Sequence, residues 1–325
     1  MSGRPAQSVR LIEVVAGVIR DDRGRILLAQ RPAGKHLAGT WEFPGGKREG
    51  DESDARTLAR ELAEELDIEV VSSRPWLSLT HHYPELAVRL KLYEVDEWRG
   101  QPSGLEGQSL DWVSVAQMNA MPMPAADRPI VRAFGIDDRY AISPEPRDSG
   151  DIEGILAWAR EGLDRGLRLF QLRAGSVDAA SLASMARAFG EAVAAAGGRW
   201  LLNGPPALAI EAAADGVHLD APGLRSLDAR PLGDEKLVMA CCRNESDLAR
   251  AGALGLDFVT LSPVLGTEGV EHAEPLGWAG FERLSRRSPL PVYARGGVGP
   301  GDLSGARERG GFGVAGTYAA GETWS

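Results

Sequence analysis

Eight short apolar segments recur through the carboxy-terminal part of the chain: RYAI (139–142), LRLFQLR (167–173), RWLLN (199–203), GVHL (216–219), KLVMACC (236–242), DFVTLS (257–262), PVYARGG (291–297) and FGVAGT (312–317). Between them lie Ala-, Leu- and Arg-rich stretches of helical character, such as ILAWAREGL and SLASMARAFGEAVAAAG. Strands that alternate with helices pair in parallel, and eight such units predict a closed (β/α)8 barrel, the TIM-barrel architecture. A doubly wound open sheet is the structural alternative. Roughly 190 residues is short for such a barrel, so its loops must be lean.

The preceding residues follow a different grammar. VRLIEVVAGVI and RILLAQR are strand-like, and Asp-Asp-Arg-Gly at 21–24 between them is a hairpin signal. AVRLKLYEVDEW (87–98) alternates, with Val88, Leu90, Leu92 and Val95 as candidate inward residues, and SLDWVSV (109–115) reads as another strand. The three prolines of MPMPAADRP (121–129), the apolar piece IVRAF and then Gly135 place a boundary near Asp137. The expectation is an α/β chain of two domains, 1–136 and 137–325. With 43% hydrophobic residues, either half can bury a core of its own.

Lys and Arg total 36 against 46 Asp and Glu, a net charge of −10, which is the wrong sign for gripping nucleic-acid phosphates. Cys241 and Cys242 are adjacent, so no disulfide framework or cysteine-rich zinc site is expected. No stretch has the length of a membrane span, and the apolar run at 11–19 carries Glu13 and lacks a cleavage site. The expected partners are therefore small molecules, with neither nucleic acid nor membrane, in the cytoplasm.

The most informative stretch is WEFPGGKREGDESDARTLARELAEEL (41–66). On a helix beginning near Ser53, Ala55, Leu58, Ala59, Leu62 and Leu66 form one apolar stripe. Glu61, Glu64 and Glu65 fall at i, i+3 and i+4 on another face, where like charges repel by a few tenths of a kcal/mol per pair. A hard divalent cation turns that cost into a binding site, because Mg²⁺ takes carboxylate and phosphate oxygens together.

The spacing of Gly46, Glu52, Arg60-Glu61-Leu62 and Glu64-Glu65 resembles the Nudix box, which departs here only at Asp67, where the family has Gly. Asp tolerates the left-handed backbone of a helix stop better than most residues, so the turn can survive. Residues 12–134 look most like the MutT branch, which hydrolyses oxidised purine nucleoside triphosphates such as 8-oxo-dGTP to the monophosphate and pyrophosphate. The resemblance implies Mg²⁺, or Mn²⁺ in its place, on Glu61, Glu64, Glu65, Glu106 and the carbonyl of Gly45. It implies that Glu52 orients the box and Arg60 pairs with the acidic cluster. It also implies a base pocket of Arg31, His36, Phe43 and Asp127. The branch has Asn where Asp127 stands, and an ionised Asp accepts hydrogen bonds without donating any. Strict selectivity for the oxidised base is therefore open.

The second half resembles the thiamine-phosphate synthase and TenI-like barrels, through QLR (171–173), LLN (201–203), ADGVHL (214–219), LSPVLGT (261–267), EPLGW (274–278) and ARGGVGPGDL (294–303). Active synthases follow that Asn with Asp-Arg, whereas Asn203 is followed by Gly204 and Pro205. Asp220 and Gly223 stand where the second metal-binding loop is expected, Arg243 replaces a His, and Gly269-Val270 replace a Ser-His or Lys. His272 reads as a surface residue. What remains is a phosphate site at Gly296, Gly297 and Gly316, which suggests a degenerate barrel that binds a phosphorylated ligand or serves as structure. Two other readings stay open: hydrolysis of a thiamine-pathway diphosphate, and a regulator that binds without turnover.

Overall fold

The computed structural model describes residues 10–148, 150–173, 175, 177–266 and 274–317. The chain divides into two compact units, Met1–Phe134 and Gly135–Ser325.

The first unit runs β1 (Arg10–Ile19), β2 (Ile26–Gln30), β3 (Trp41–Glu42), β4 (Gly45–Lys47), α1 (Asp54–Leu66), β5 (Glu69–His82), β6 (Leu86–Arg99), β7 (Leu110–Val113), α2 (Val115–Met118) and α3 (Arg128–Ala133). A mixed sheet has the order β4-β1-β6-β5, with β1 parallel to β6 and the outer pairs antiparallel. A small antiparallel sheet has the order β3-β2-β7. The turn expected at 21–24 is present, closed by the Asp21 N–H on the Arg25 carbonyl at 3.0 Å. The strands it joins share one isolated bridge, Arg20 to Ile26, and then part into different sheets.

Helix α1 begins where the sequence places it. The Ser53 hydroxyl accepts the Arg56 N–H, and Asp67 ends the helix at φ 57°, ψ 38°, the left-handed conformation that a Gly would adopt there. Leu58, Leu62 and Leu66 are fully buried among Val15, Ile19, Leu27 and Val95, which lays the helix along β1 and β6. Ala55 is exposed instead of joining that stripe, and Thr57 is buried. Burial of Thr57 is tolerated because its hydroxyl donates to the Glu52 carboxylate at 3.1 Å and the Ser53 carbonyl at 3.2 Å. On β6, Leu90, Leu92 and Val95 are buried as expected, but Val88 is only half-buried and Ala87 lies in the core.

Strand β5 has no counterpart in the sequence reading. Its register shifts between Val70 and Ser72, between Ser72 and Ser73, and between Pro75 and Leu77, so bulges disguise the two-residue period. The apolar piece IVRAF falls largely within α3.

The second unit is a closed barrel in which each of the eight apolar segments supplies a strand: β8 (Arg139–Ile142), β9 (Leu169–Arg173), β10 (Arg199–Asn203), β11 (Gly216–Leu219), β12 (Leu237–Cys242), β13 (Phe258–Leu261), β14 (Val292–Arg295) and β15 (Gly313–Gly316). All neighbours are parallel, and β15 closes on β8 through Ala315 and Tyr140. The open-sheet alternative therefore falls. Helices α4 (Ile152–Asp164), α5 (Ala179–Ala195), α6 (Pro206–Glu211), α7 (Ala221–Ser226), α8 (Glu245–Ala253), α9 (Gly277–Ser285) and α10 (Leu303–Glu308) connect the strands. Tyr140, Phe258, Tyr293 and Phe312 fill the barrel, with neighbouring ring centroids 5.4 to 5.9 Å apart. Among the described residues no helix is long and apolar enough to cross a membrane.

Candidate active site

The outer face of α1 is organised by Arg60. Its guanidinium grips both oxygens of Glu52, at 2.9 and 3.0 Å, in a two-point fork. Its remaining donors reach Glu61 at 2.9 Å, Glu64 at 3.2 Å and the Lys47 carbonyl at 3.1 Å. The fork is the main reason that Glu52 is pulled down to about 2. Gly46 matters because of Glu61: a Cβ at Gly46 would lie 2.3 to 2.5 Å from that carboxylate, so only glycine lets the helix side chain reach β4. Gly45, at φ 144°, has the Val15 carbonyl where a Cβ would stand.

Glu65 faces inward. Its carboxylate accepts the Gly45 N–H at 3.1 Å, yet burial pushes its pKa up to about 7, with Glu61, Glu106 and Glu42 adding repulsion. The loop at 103–108 closes over the end of α1. The Leu105 N–H and the Gln108 amide both donate to the Glu65 carbonyl, at 3.0 and 2.9 Å, while Gln108 also accepts the Glu106 N–H. That satisfies carbonyls a helix end leaves free and sets Glu106 beside Glu65. The Glu106 carboxylate itself lies 2.5 Å from the ammonium of Lys35.

The four carboxylates fit a hard divalent cation in kind, since oxygen donors with surplus negative charge are gathered around one helix end. They are not converged on one point. Among the described residues no three acidic, His or Cys side chains are grouped closely enough to share an ion. Arg60 holds Glu61 and Glu64, the Gly45 amide holds Glu65, and Lys35 holds Glu106.

The four residues expected at the base pocket have different surroundings. Arg31 pairs with Glu42 at 2.5 Å and keeps a buried Nε without a partner. Asp127 is 7% exposed at the start of α3, and its carboxyl makes no capping hydrogen bond there. Burial and then the charge of Glu42 push it up to about 7, against the pull of Arg31. Tyr83 belongs to the same cluster, its phenol raised by burial and by Asp127. Phe43, by contrast, packs in the core against Phe134 with centroids 5.7 Å apart. His36 is exposed, and among the described residues no hydrogen bond or ion pair ties it to Arg31 or Asp127. Glu42, Tyr83, Lys35 and Gln108 carry no local sequence signal, because their roles depend on pairings far along the chain.

Inside the barrel the polar groups are neutral. The side-chain amide of Gln171, Nε2 of His218 and the hydroxyl of Thr260 are buried without partners. Burial, aided by the charge of Arg295, lowers His218 to about 3, and its Nδ1 meets the Tyr140 hydroxyl at 3.1 Å. The acids expected for a metal are missing at Gly204 and Gly223, and Asp220 spends an oxygen capping α7 through the Gly223 N–H at 2.7 Å. A divalent metal does not fit this donor set. Gly296 and Gly297 adopt φ of 87° and 64° and press against Pro263 and the Gly266 carbonyl, so the turn itself requires them. Gly316 is half-buried at the end of β15. Residues Gly269, Val270 and His272 lie outside the described residues.

The family model for the NUDIX domain matches residues 15–133, and that for thiamine monophosphate synthase matches residues 139–320, more than half of the chain. The "CTP pyrophosphohydrolase" of Escherichia coli strain K12 is 41% identical over 39% of this chain and 93% of its own length. The "8-oxo-dGTP diphosphatase" of the same organism is 32% identical over 38% of this chain and 95% of its own. The chain belongs to both families. Its Nudix half is a hydrolase domain. Its barrel half is 34% identical, over 54% of this chain and 83% of the relative, to the "Putative thiamine-phosphate synthase" of Geobacter sulfurreducens. The Nudix domain gathers carboxylates around α1, whereas the synthase-like barrel carries Gly204, Gly223 and the capping Asp220 where the resemblance leads one to expect metal ligands.

Proposed function

We propose that the Nudix domain, taken as residues 1–136, is a Mg²⁺-dependent nucleoside triphosphate pyrophosphohydrolase that prefers oxidised purine nucleotides such as 8-oxo-dGTP. The observation that carries this reading is the set of carboxylates around α1, anchored by the Arg60–Glu52 fork. Glu61, Glu64, Glu65, Glu106 and the Gly45 carbonyl would hold Mg²⁺. When bound, the metal would neutralise the phosphate chain and polarise its oxygens. Glu52 and Arg60 keep Glu61 and Glu64 in place. Glu106, about half exposed, either completes the metal site or accepts the proton of a water attacking the internal phosphorus, which separates monophosphate from pyrophosphate. Arg31 and Asp127 orient the base.

Incubation of the full chain with dGTP or 8-oxo-dGTP and Mg²⁺ tests the reading. Pyrophosphate and monophosphate in equal amounts are expected, with the oxidised substrate preferred. Release of orthophosphate, or no turnover at high enzyme, would refute it.

Asp127, together with the similarity to a CTP pyrophosphohydrolase, favours cytosine nucleotides as the second reading. A protonated Asp127 offers one donor and one acceptor side by side. That pair complements N7–H and O6 of an 8-oxoguanine and equally N3 and the amine of a cytosine, but not N7 and O6 of guanine. Comparison of kcat/KM for 8-oxo-dGTP, dGTP and CTP separates the two. The barrel, residues 137–325, is proposed as a module that binds a ligand or stabilises the chain without catalysis, because no carboxylate pair remains for a diphosphate.

A further inference from the structure

Arg60 and Lys35 both neutralise carboxylates of the site, but they are held very differently. Arg60 makes five hydrogen bonds, and its side chain is 24% exposed. Lys35 joins the loop after β2 to the loop after β6, across 71 positions in sequence, through a single contact between its ammonium and Glu106. Both side chains of that pair are about half exposed, at 51% and 45%. The same ammonium faces Glu65 electrostatically. One half-exposed cation thus stands against two of the carboxylates that the proposed function assigns to Mg²⁺.

Resting on that reading, we propose that Lys35 is an exchangeable counter-ion of the site: a divalent cation displaces its ammonium from Glu106, and the freed ammonium then binds the nucleotide's phosphate chain. An ammonium at 2.5 Å and a divalent cation compete for the same carboxylate oxygen, and like charges so close repel strongly. A lysine can make the exchange because its charge sits on a flexible four-carbon stem with three rotatable donors. An exposed pair of this kind is held weakly, so the swing costs little. Arg60, clamped at five points, stays as scaffold.

The test uses the full chain and the Lys35→Met variant, without nucleotide, titrated with Mn²⁺ and followed by electron paramagnetic resonance. Loss of the competing ammonium is expected to tighten Mn²⁺ about threefold. With metal saturating, the α,β-imido analogue of dGTP is expected to bind the variant about fivefold more weakly, with dGMP unchanged. Unchanged or weaker Mn²⁺ binding, or equal losses for the triphosphate analogue and the monophosphate, would overturn the exchange. If the wild-type chain binds Mn²⁺ no better than Glu64→Gln, the acidic site itself is misread and the exchange falls with it.

Discussion

The carboxylate helix and the barrel interior both bury polar side chains, but they differ in what answers those groups. Around α1 every carboxylate meets a cation or an amide, and Glu65 remains protonatable near neutrality because it is buried, with Glu61, Glu106 and Glu42 adding repulsion. In the barrel Gln171, His218 and Thr260 present neutral donors and acceptors, and their orphaned atoms have no hydrogen-bond partner. Phosphate chemistry depends on the first kind of site, where a divalent cation gains from concentrated charge. The second kind suits a neutral, hydrogen-bonding ligand or bound water. On the proposed reading, only the Nudix half gathers the charge that a divalent cation and a phosphate chain require.

The sharpest way to break this contrast is Glu64→Gln. Glu64 is 61% exposed and fills no core volume, so its loss should leave the melting temperature nearly unchanged. Removal of one metal-binding charge is expected to lower kcat by about 10²- to 10³-fold. Activity that survives the change would show that α1 is not the reacting site.

Asp127 gives the next largest effect. Its carboxyl, raised to about 7 by burial, keeps its proton in the folded chain while the unfolded chain has lost it. The folded state therefore binds more protons between about pH 4 and 7, and stability falls as pH rises through that window, by on the order of 3 kcal/mol. Denaturant midpoints at pH 5 and pH 8 should show this fall, and Asp127→Asn should reduce it to the share contributed by Glu65, which burial also raises to about 7. Preference for 8-oxo-dGTP should also decline above pH 7 in the wild type and persist in Asp127→Asn. A pH-independent wild type would mean that the carboxyl is solvated.

Gly46→Ala forces the Glu61 carboxylate aside, since the new Cβ would lie 2.3 Å from it. A side-chain end can move at little cost to stability, roughly under 1 kcal/mol, but the site loses a positioned ligand. Turnover is expected to drop about tenfold, in line with other losses of ligand orientation. Equal turnover by alanine would show that Glu61 is not held where it acts.

The smallest effect belongs to the barrel. Thr260→Val removes a buried hydroxyl without a partner and keeps the volume, so it should stabilise the chain by about 1 kcal/mol and leave nucleotide hydrolysis unchanged. Destabilisation would show that this hydroxyl has a partner in solution.

What could be read in the sequence follows from range. The periods of α1 and of the eight barrel strands are local, as is the left-handed stop at Asp67, and all three are found. Strand β5 was hidden because its bulges break the alternation and Pro75 reads as a breaker. The helical period alone places Ala55 in the buried stripe, but the hydroxyl of Thr57 is needed beneath Glu52. Lys35, Glu42, Tyr83 and Gln108 earn their places only through partners brought together by folding. Resemblance supplied His36 and Phe43 as pocket residues, and the structure puts one at the surface and the other in the core.

The most direct test is a product-resolved assay of the full chain given 8-oxo-dGTP, a pyrimidine diphosphate and a thiazole phosphate together with Mg²⁺. The account predicts monophosphate and pyrophosphate from the nucleotide, lost in Glu64→Gln, and no thiamine phosphate. Thiamine phosphate that forms and survives Glu64→Gln would contradict it.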